Sequence, residues 1–116
     1  MRRRRGAEEM RDLASRECVP CRGGVPPMSA DEIKALLPEL RGWKAVRNHH
    51  LLKRYEFKNF LEAQRFVARV GRLAEREGHH PDICFGWGYA ELKIWTHKID
   101  GLSEGDFIIA AKIDRL

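Results

Sequence analysis

Residues 75–106 read EREGHHPDICFGWGYAELKIWTHKIDGLSEGD, and the order of signals in this stretch decides the fold. The charged run closing at Gly78 reads as a helix end, because glycine best suits the left-handed position after a last helical turn. Ile83, Phe85 and Trp87, then Ala90, Leu92 and Ile94, alternate with other residues in a period of two, with Gly86 and Gly88 near the bend. That describes two strands joined as a hairpin. The second strand carries the chain to His97, with Tyr89, Glu91, Lys93, Trp95 and His97 on its opposite face. Ser103 followed by Asp106 is a helix-start signature, and Phe107, Ile108, Ala110, Ala111 and Ile113 supply the apolar residues of a last helix.

The same alternation of elements precedes it. Ser29 with Glu32 forms a capping box, and Ile33, Leu36 and Leu37 give a helical face that ends near Leu40, with Pro38 weakening the last turn. Trp43 to Val46 and Leu51 to Phe57 read as strands around an Arg47-Asn48-His49-His50 turn. From Phe60, the positions Ala63, Phe66, Val67, Val70, Leu73 and Ala74 fall every three or four residues, one continuous apolar stripe. The order is helix, two strands, helix, two strands, helix. Strand pairs joined by tight turns imply an α+β domain, a four-stranded antiparallel sheet with helices packed on one face.

A length of 116 residues suits one such domain with one core. Residues 1–27 carry seven Lys/Arg against four Asp/Glu, and residues 28–116 fifteen against thirteen, so most of the +5 charge sits in the tail. A nucleic-acid binder places its basic face on the domain itself, so none is expected here. No apolar run approaches the ~20 residues of a membrane span. Arg2–Arg5 is followed by polar residues and not an apolar stretch, and Glu8, Glu9 and Asp12 do not fit a transit peptide, so the cytoplasm is the expected location. Residues 1–28 read as a basic, partly flexible extension and 29–116 as the domain. Cys18-Val-Pro-Cys21 lies in the extension without a second Cys pair. It reads as a loop, with a metal shared across an oligomer as the alternative. Cys84, inside an apolar strand, reads as inert packing.

His79 and His80 follow a helix C-terminus, where free carbonyls favour a protonated imidazole, and Asp106 opens a helix, where the opposite dipole end favours a carboxylate. Glu75 stands one turn before His79. Histidine passes protons near neutral pH, so three imidazoles and two acids at element ends look like an assembled acid–base site. The bland alternative has His79 and His80 capping a helix and His97 paired within the sheet. Adjacent histidines diverge, and neither H-x-H nor H-E-x-x-H occurs, so no metal is assigned. His49 and His50, in a polar turn with no acid nearby, read as solvated and are set aside.

The pattern Glu75-x3-His79-His80-Pro81-x5-Trp87-x9-His97-x8-Asp106 resembles the signature of the pterin-4a-carbinolamine dehydratases. Gly42-Trp43, Phe57-Lys58-Asn59-Phe60 and Gly101 to Ile108 are also similar to that family, across about residues 29–116. The resemblance implies a hydro-lyase that removes water from 4a-hydroxytetrahydropterin, the carbinolamine left by aromatic amino acid hydroxylases, giving quinonoid dihydropterin in tetrahydrobiopterin recycling. It implies no metal or redox cofactor. Its catalytic set is His79, His80, His97 and Asp106, with His79 and His97 as the acid/base pair, His80 mainly binding substrate and Asp106 orienting a histidine. Glu75, Pro81, Trp43 and Trp87 are implied at the substrate. A homo-dimer or tetramer is expected, with a functional link to a hydroxylase. The family also holds members acting as dimerisation cofactors or assembly factors, so a non-catalytic binding module is the alternative.

Overall fold

A computed structural model describes residues 12–17 and 25–116. Cys18 and Cys21, with the reading given to them, lie outside the described residues. Helix α1, Ala30–Leu36, is opened by its capping box: the Ser29 hydroxyl accepts from the Glu32 amide, and the Glu32 carboxylate from the Ser29 amide at 2.8 Å. Proline has no amide to extend the α ladder, and around Pro38 the chain tightens into a 3-10 turn, Leu37–Glu39. Strands β1, Lys44–Val46, and β2, His50–Glu56, follow. Arg47 and Asn48 both have φ near +55° between them, and the His49 amide donates to the Val46 carbonyl, as in a type I′ turn.

Helix α2, Phe60–Glu77, starts at an Asn59 cap and ends at Gly78, whose φ of 67° is the left-handed stop expected from sequence. Its stripe of Ala63, Phe66, Val70, Leu73 and Ala74 is buried. Strands β3, Asp82–Gly86, and β4, Tyr89–Ile94, form the second hairpin, and helix α3, Glu104–Ile113, closes the domain. The sheet is antiparallel in the order β1-β2-β4-β3. The α+β architecture with helices on one face is the one the sequence implies. Central β4 turns Ala90, Leu92 and Ile94 wholly inward, and burying each of the two larger side chains stabilises the fold by about 1.5–3 kcal/mol.

Asp82 pairs with Lys93 and Leu51 with Ile94. This register sets the Pro81 end of β3 beside the end of β4, ahead of His97. The strand itself stops at Ile94, short of the His97 expected from sequence. Thr96 and Gly101 form an isolated bridge, and His97–Ile99 is a 3-10 turn. The Thr96 hydroxyl bonds Asp106, which draws the chain out of the sheet plane. Cys84 also departs from expectation. It lies on edge strand β3, on the face away from the helices, and is exposed; the inward positions of that strand are Ile83 and Phe85.

Residues 12–17 lie along α3. Leu13 is buried in a 3-10 turn, Asp12 accepts two hydrogen bonds from Arg115 at 2.8 and 2.9 Å, and Arg16 pairs with Glu104 at 2.6 Å. The segment therefore spans α3 from its C-terminal end to its first residue. Among the described residues, no helix is long and apolar enough to cross a membrane.

Candidate active site

The left-handed Gly78 turns the chain sharply at the end of α2, and the His79 amide is still held by the Ala74 carbonyl at 3.1 Å. The His79 ring is thereby aimed at the start of α3. Its Nε2 lies 2.5 Å from Oδ1 of Asp106, which is wholly buried. The other Asp106 oxygen accepts from the Thr96 hydroxyl and the Ser103 amide, each at 2.8 Å, and from the Ser103 hydroxyl at 3.3 Å. The two hydroxyls are themselves 2.8 Å apart. A buried charge is tolerated only when paired and hydrogen-bonded, and four donors plus the helix N-terminus meet that condition here.

A carboxylate can only accept, so the Nε2 of His79 carries the proton and Nδ1 is the nitrogen left to exchange one. Gly105 borders that edge of the ring. A Cβ built on it would stand 3.4 Å from the His79 Cε1 and 3.5 Å from Nδ1. Glycine leaves this approach to Nδ1 uncovered.

His80 diverges from His79, as adjacent side chains on an extended backbone do. Its Nε2 meets Glu75 at 2.5 Å, with both groups exposed. Glu75 thus supports the corner through His80 and not His79. His97 follows Thr96 directly, so the residue that holds Asp106 also delivers the third imidazole to the same end of the hairpin. The His97 side chain is exposed, and its ring lies on Trp95 with centroids 4.1 Å apart.

Pro81 is half-buried at the start of β3. The structure does not bring every implied residue to this corner. Trp87 is 72% exposed at the hairpin tip, about 20 Å of extended strand from Pro81. Trp43 is buried at the far end of α3, donating from Nε1 to Asp114 at 3.0 Å. Asp114 stands eight residues beyond Asp106, about 12 Å along the helix. It also receives Lys53 Nζ at 2.8 Å and the Tyr55 hydroxyl. Burial and the hydroxyl's bond to that carboxylate push the Tyr55 pKa strongly upward.

One sequence reading is overturned here. His49 and His50 have an acid beside them: His49 Nε2 lies 2.8 Å from Asp100, and the two Nδ1 atoms are 3.1 Å apart. Both rings also lie near Trp95, at 5.5 and 6.2 Å. Fifty-one residues separate His49 from Asp100, beyond any local signal. Thr96 and Ser103 are further members of the Asp106 hydrogen-bond network that the sequence reading left unassigned. Ser103 was visible as a helix cap, and Thr96 only by its place before His97. Among the described residues no group of three or more His, Cys, Asp or Glu side chains is arranged to hold a metal ion.

The sequence model of a family described as pterin 4 alpha carbinolamine dehydratase matches residues 26–116. A protein of Rubrobacter xylanophilus carrying the provisional name pterin-4-alpha-carbinolamine dehydratase is 59% identical over 107 residues, covering 92% of this chain and 100% of its own. One from Alkaliphilus metalliredigens with the same provisional name is 50% identical, covering 91% and 96%. A solved structure from Brucella melitensis, described as a transcriptional coactivator/pterin dehydratase, superposes with a TM-score of 0.72 at 27% identity, covering 77% of this chain and 96% of its own. A pterin dehydratase-like protein described as a RuBisCO assembly factor of the alpha-carboxysome superposes at 0.50 and 27%, covering 57% and 76%.

Proposed function

The chain belongs to the pterin 4 alpha carbinolamine dehydratase family, and on that premise we propose that it is a lyase removing water from 4a-hydroxytetrahydropterin in tetrahydrobiopterin recycling. The reaction breaks the C4a–O bond. A proton goes to the departing hydroxyl, N5 gives one up, and its electron pair closes the C4a–N5 double bond of quinonoid dihydropterin. The observation that carries this reading is the wholly buried Asp106 holding the Nε2 of His79, which leaves Nδ1 free to exchange a proton. His97, delivered by Thr96 to the same end of the hairpin, is the partner in the acid/base pair. His80, held by Glu75 at the exposed rim, contacts substrate in this reading, with Pro81 next to it ahead of β3.

Breaking C4a–O and closing C4a–N5 needs one proton delivered and one removed, with no net oxidation or reduction, and positioned imidazoles supply both transfers, so the reading assigns neither metal nor redox cofactor. Trp43 and Trp87 contribute to this site only if another copy of the chain brings them to it. A homo-dimer or tetramer, acting in the cytoplasm alongside a hydroxylase, fits the outer edges of β1 and β3, which no other described strand covers.

The test is stopped-flow measurement of 4a-hydroxytetrahydropterin breakdown. His79→Ala and His97→Ala each lower kcat by about 10²–10⁴-fold while the protein stays folded, the range set by losing one general acid or base. Full activity in both variants refutes the assignment. A second reading, a non-catalytic module acting as a dimerisation cofactor or assembly factor, draws on the fold shared with the RuBisCO assembly factor. It predicts negligible turnover from the folded wild-type chain together with a stoichiometric protein partner.

A further inference from the structure

Among the described residues, His79 and His80 each have a carboxylate partner and His97 has none. Among the described residues, the ring partner of His97 is Trp95, at 4.1 Å between centroids with the planes tilted by 37°. Trp95 is backed in turn by His49 and His50 from the β1–β2 turn, and Lys93 Nζ lies 5.2 Å from its ring. The turn that carries His97 is tied to the same hairpin by the Asp100–His49 contact at 2.8 Å. Asp100 adopts a left-handed φ of 50°, and its amide bonds the His97 carbonyl at 3.1 Å. The backbone at His97 is thus pinned from both sides, while the imidazole itself is fixed by one flat aromatic surface.

We infer that Trp95 is a positioning residue for His97, an aromatic platform that holds the third imidazole of the site in place of the carboxylates that hold the other two. This rests on the proposed dehydratase reading for its kinetic consequence, but not for its structural one. An exposed imidazole on a three-residue turn samples several rotamers, whereas one packed against an indole at this distance has fewer open to it. A reacting group misplaced by about 1 Å loses on the order of 10²-fold in rate. Because Trp95 meets His97 and is not a partner in the His79–Asp106 or His80–Glu75 pairs, removing it disturbs the chemical step and leaves substrate binding by the His79–His80 corner in place.

The experiment has two arms on the full-length protein. In the first, histidine ring-proton resonances are recorded by NMR without substrate. In the wild type the His97 protons are displaced upfield by the indole ring current. Trp95→Ala removes that displacement, Trp95→Phe keeps part of it, and the His79 protons stay where they were. A His97 signal at the ordinary position in the wild type overturns the inference. In the second arm, Trp95→Ala lowers the dehydration kcat about 10- to 100-fold with KM within about threefold, and Trp95→Phe restores most of it. An unchanged kcat, or a loss confined to KM, also overturns it. If the wild type shows no dehydration, the functional proposal fails, and the NMR arm still decides whether Trp95 fixes His97.

Discussion

Replacing Asp106 with asparagine keeps the shape of the side chain and removes its charge. The carboxylate accepts from His79, Thr96 and Ser103 with no exposure to solvent. An asparagine has one acceptor oxygen. If that oxygen stays on Thr96 and Ser103, the amide group meets the Nε2 of His79 as a second donor, and the His79 proton must move to Nδ1. A hydrogen bond to a charged group is worth about 1.5–3 kcal/mol and a neutral one about 0.5–1.5, so the bond lost and replaced costs about 1–2 kcal/mol. Together with a weakened helix cap, of about 0.5–2 kcal/mol, a fall of about 2–3 kcal/mol in stability is expected. At about 4–8 °C per kcal/mol for a domain near this size, Tm drops by roughly 10–20 °C. The tautomer change falls on the reacting nitrogen, so kcat drops by about 100-fold or more even in the folded fraction. Thermal melts and stopped-flow rates, corrected for the folded fraction, separate the two effects. An Asp106→Asn enzyme with wild-type kcat refutes the orienting role, and an unchanged Tm refutes the network.

Other consequences are as concrete. Gly105→Ala should raise stability by up to about 1 kcal/mol as a helical Gly→Ala change, yet lower the dehydration rate, since the new methyl covers Nδ1 of His79; a denaturant titration and a rate on one preparation check both. Tyr55→Phe removes the hydroxyl's bond to Asp114 at the opposite end of α3. It should cost about 1.5–3 kcal/mol, the range for a hydrogen bond to a charged group, in a thermal melt with kcat unchanged. The His50 pKa is lowered from its ordinary 6.5 by burial, with Lys93, His49 and Arg47 adding to it. Below 6.5 the unfolded chain therefore binds the proton more readily than the folded one, and stability rises as pH increases through the window just under 6.5. His50→Gln should flatten that part of the stability–pH curve measured by urea unfolding.

The elements were legible where their signals are local. Ser29 with Glu32, Ser103 with Asp106, Gly78 after the Phe60 stripe, and the period-two run from Ile83 to Ile94 each act within a few residues. What was hidden depends on residues far apart in the chain. The placement of β4 between β2 and β3 comes from pairing Leu51 with Ile94, which no short window contains. Cys84 read as packing because its neighbours are apolar, but an edge strand has a second face, and burial of Ile83 and Phe85 turns Cys84 outward. His49 seemed to lack an acid because Asp100 is brought to it only by the turn after Thr96. The corner of His79, His80 and Asp106 was readable as residue types at element ends, whereas Thr96 and Ser103 show their part only once Asp106 is seen to need donors.

The pairing of Asp82 with Lys93 and of Ile83 with Leu92 has a further consequence for anyone rebuilding this protein. The two strands act as a fixed frame whose open end carries both His79-His80-Pro81 and Thr96-His97, and whose closed end carries Trp87. Residues added at the closed end lengthen the two-residue Trp87-Gly88 loop beyond the Gly86–Tyr89 pair, whereas removing one breaks that pair. A single residue added between Pro81 and Ile83, or between Ile94 and His97, leaves the Ile83–Leu92 pairing in place but turns the residues beyond it and moves His79-His80 against Thr96-His97. Loop grafts, tags and library diversity therefore belong at Trp87, and catalytic redesign at the open end must proceed by substitution at constant length.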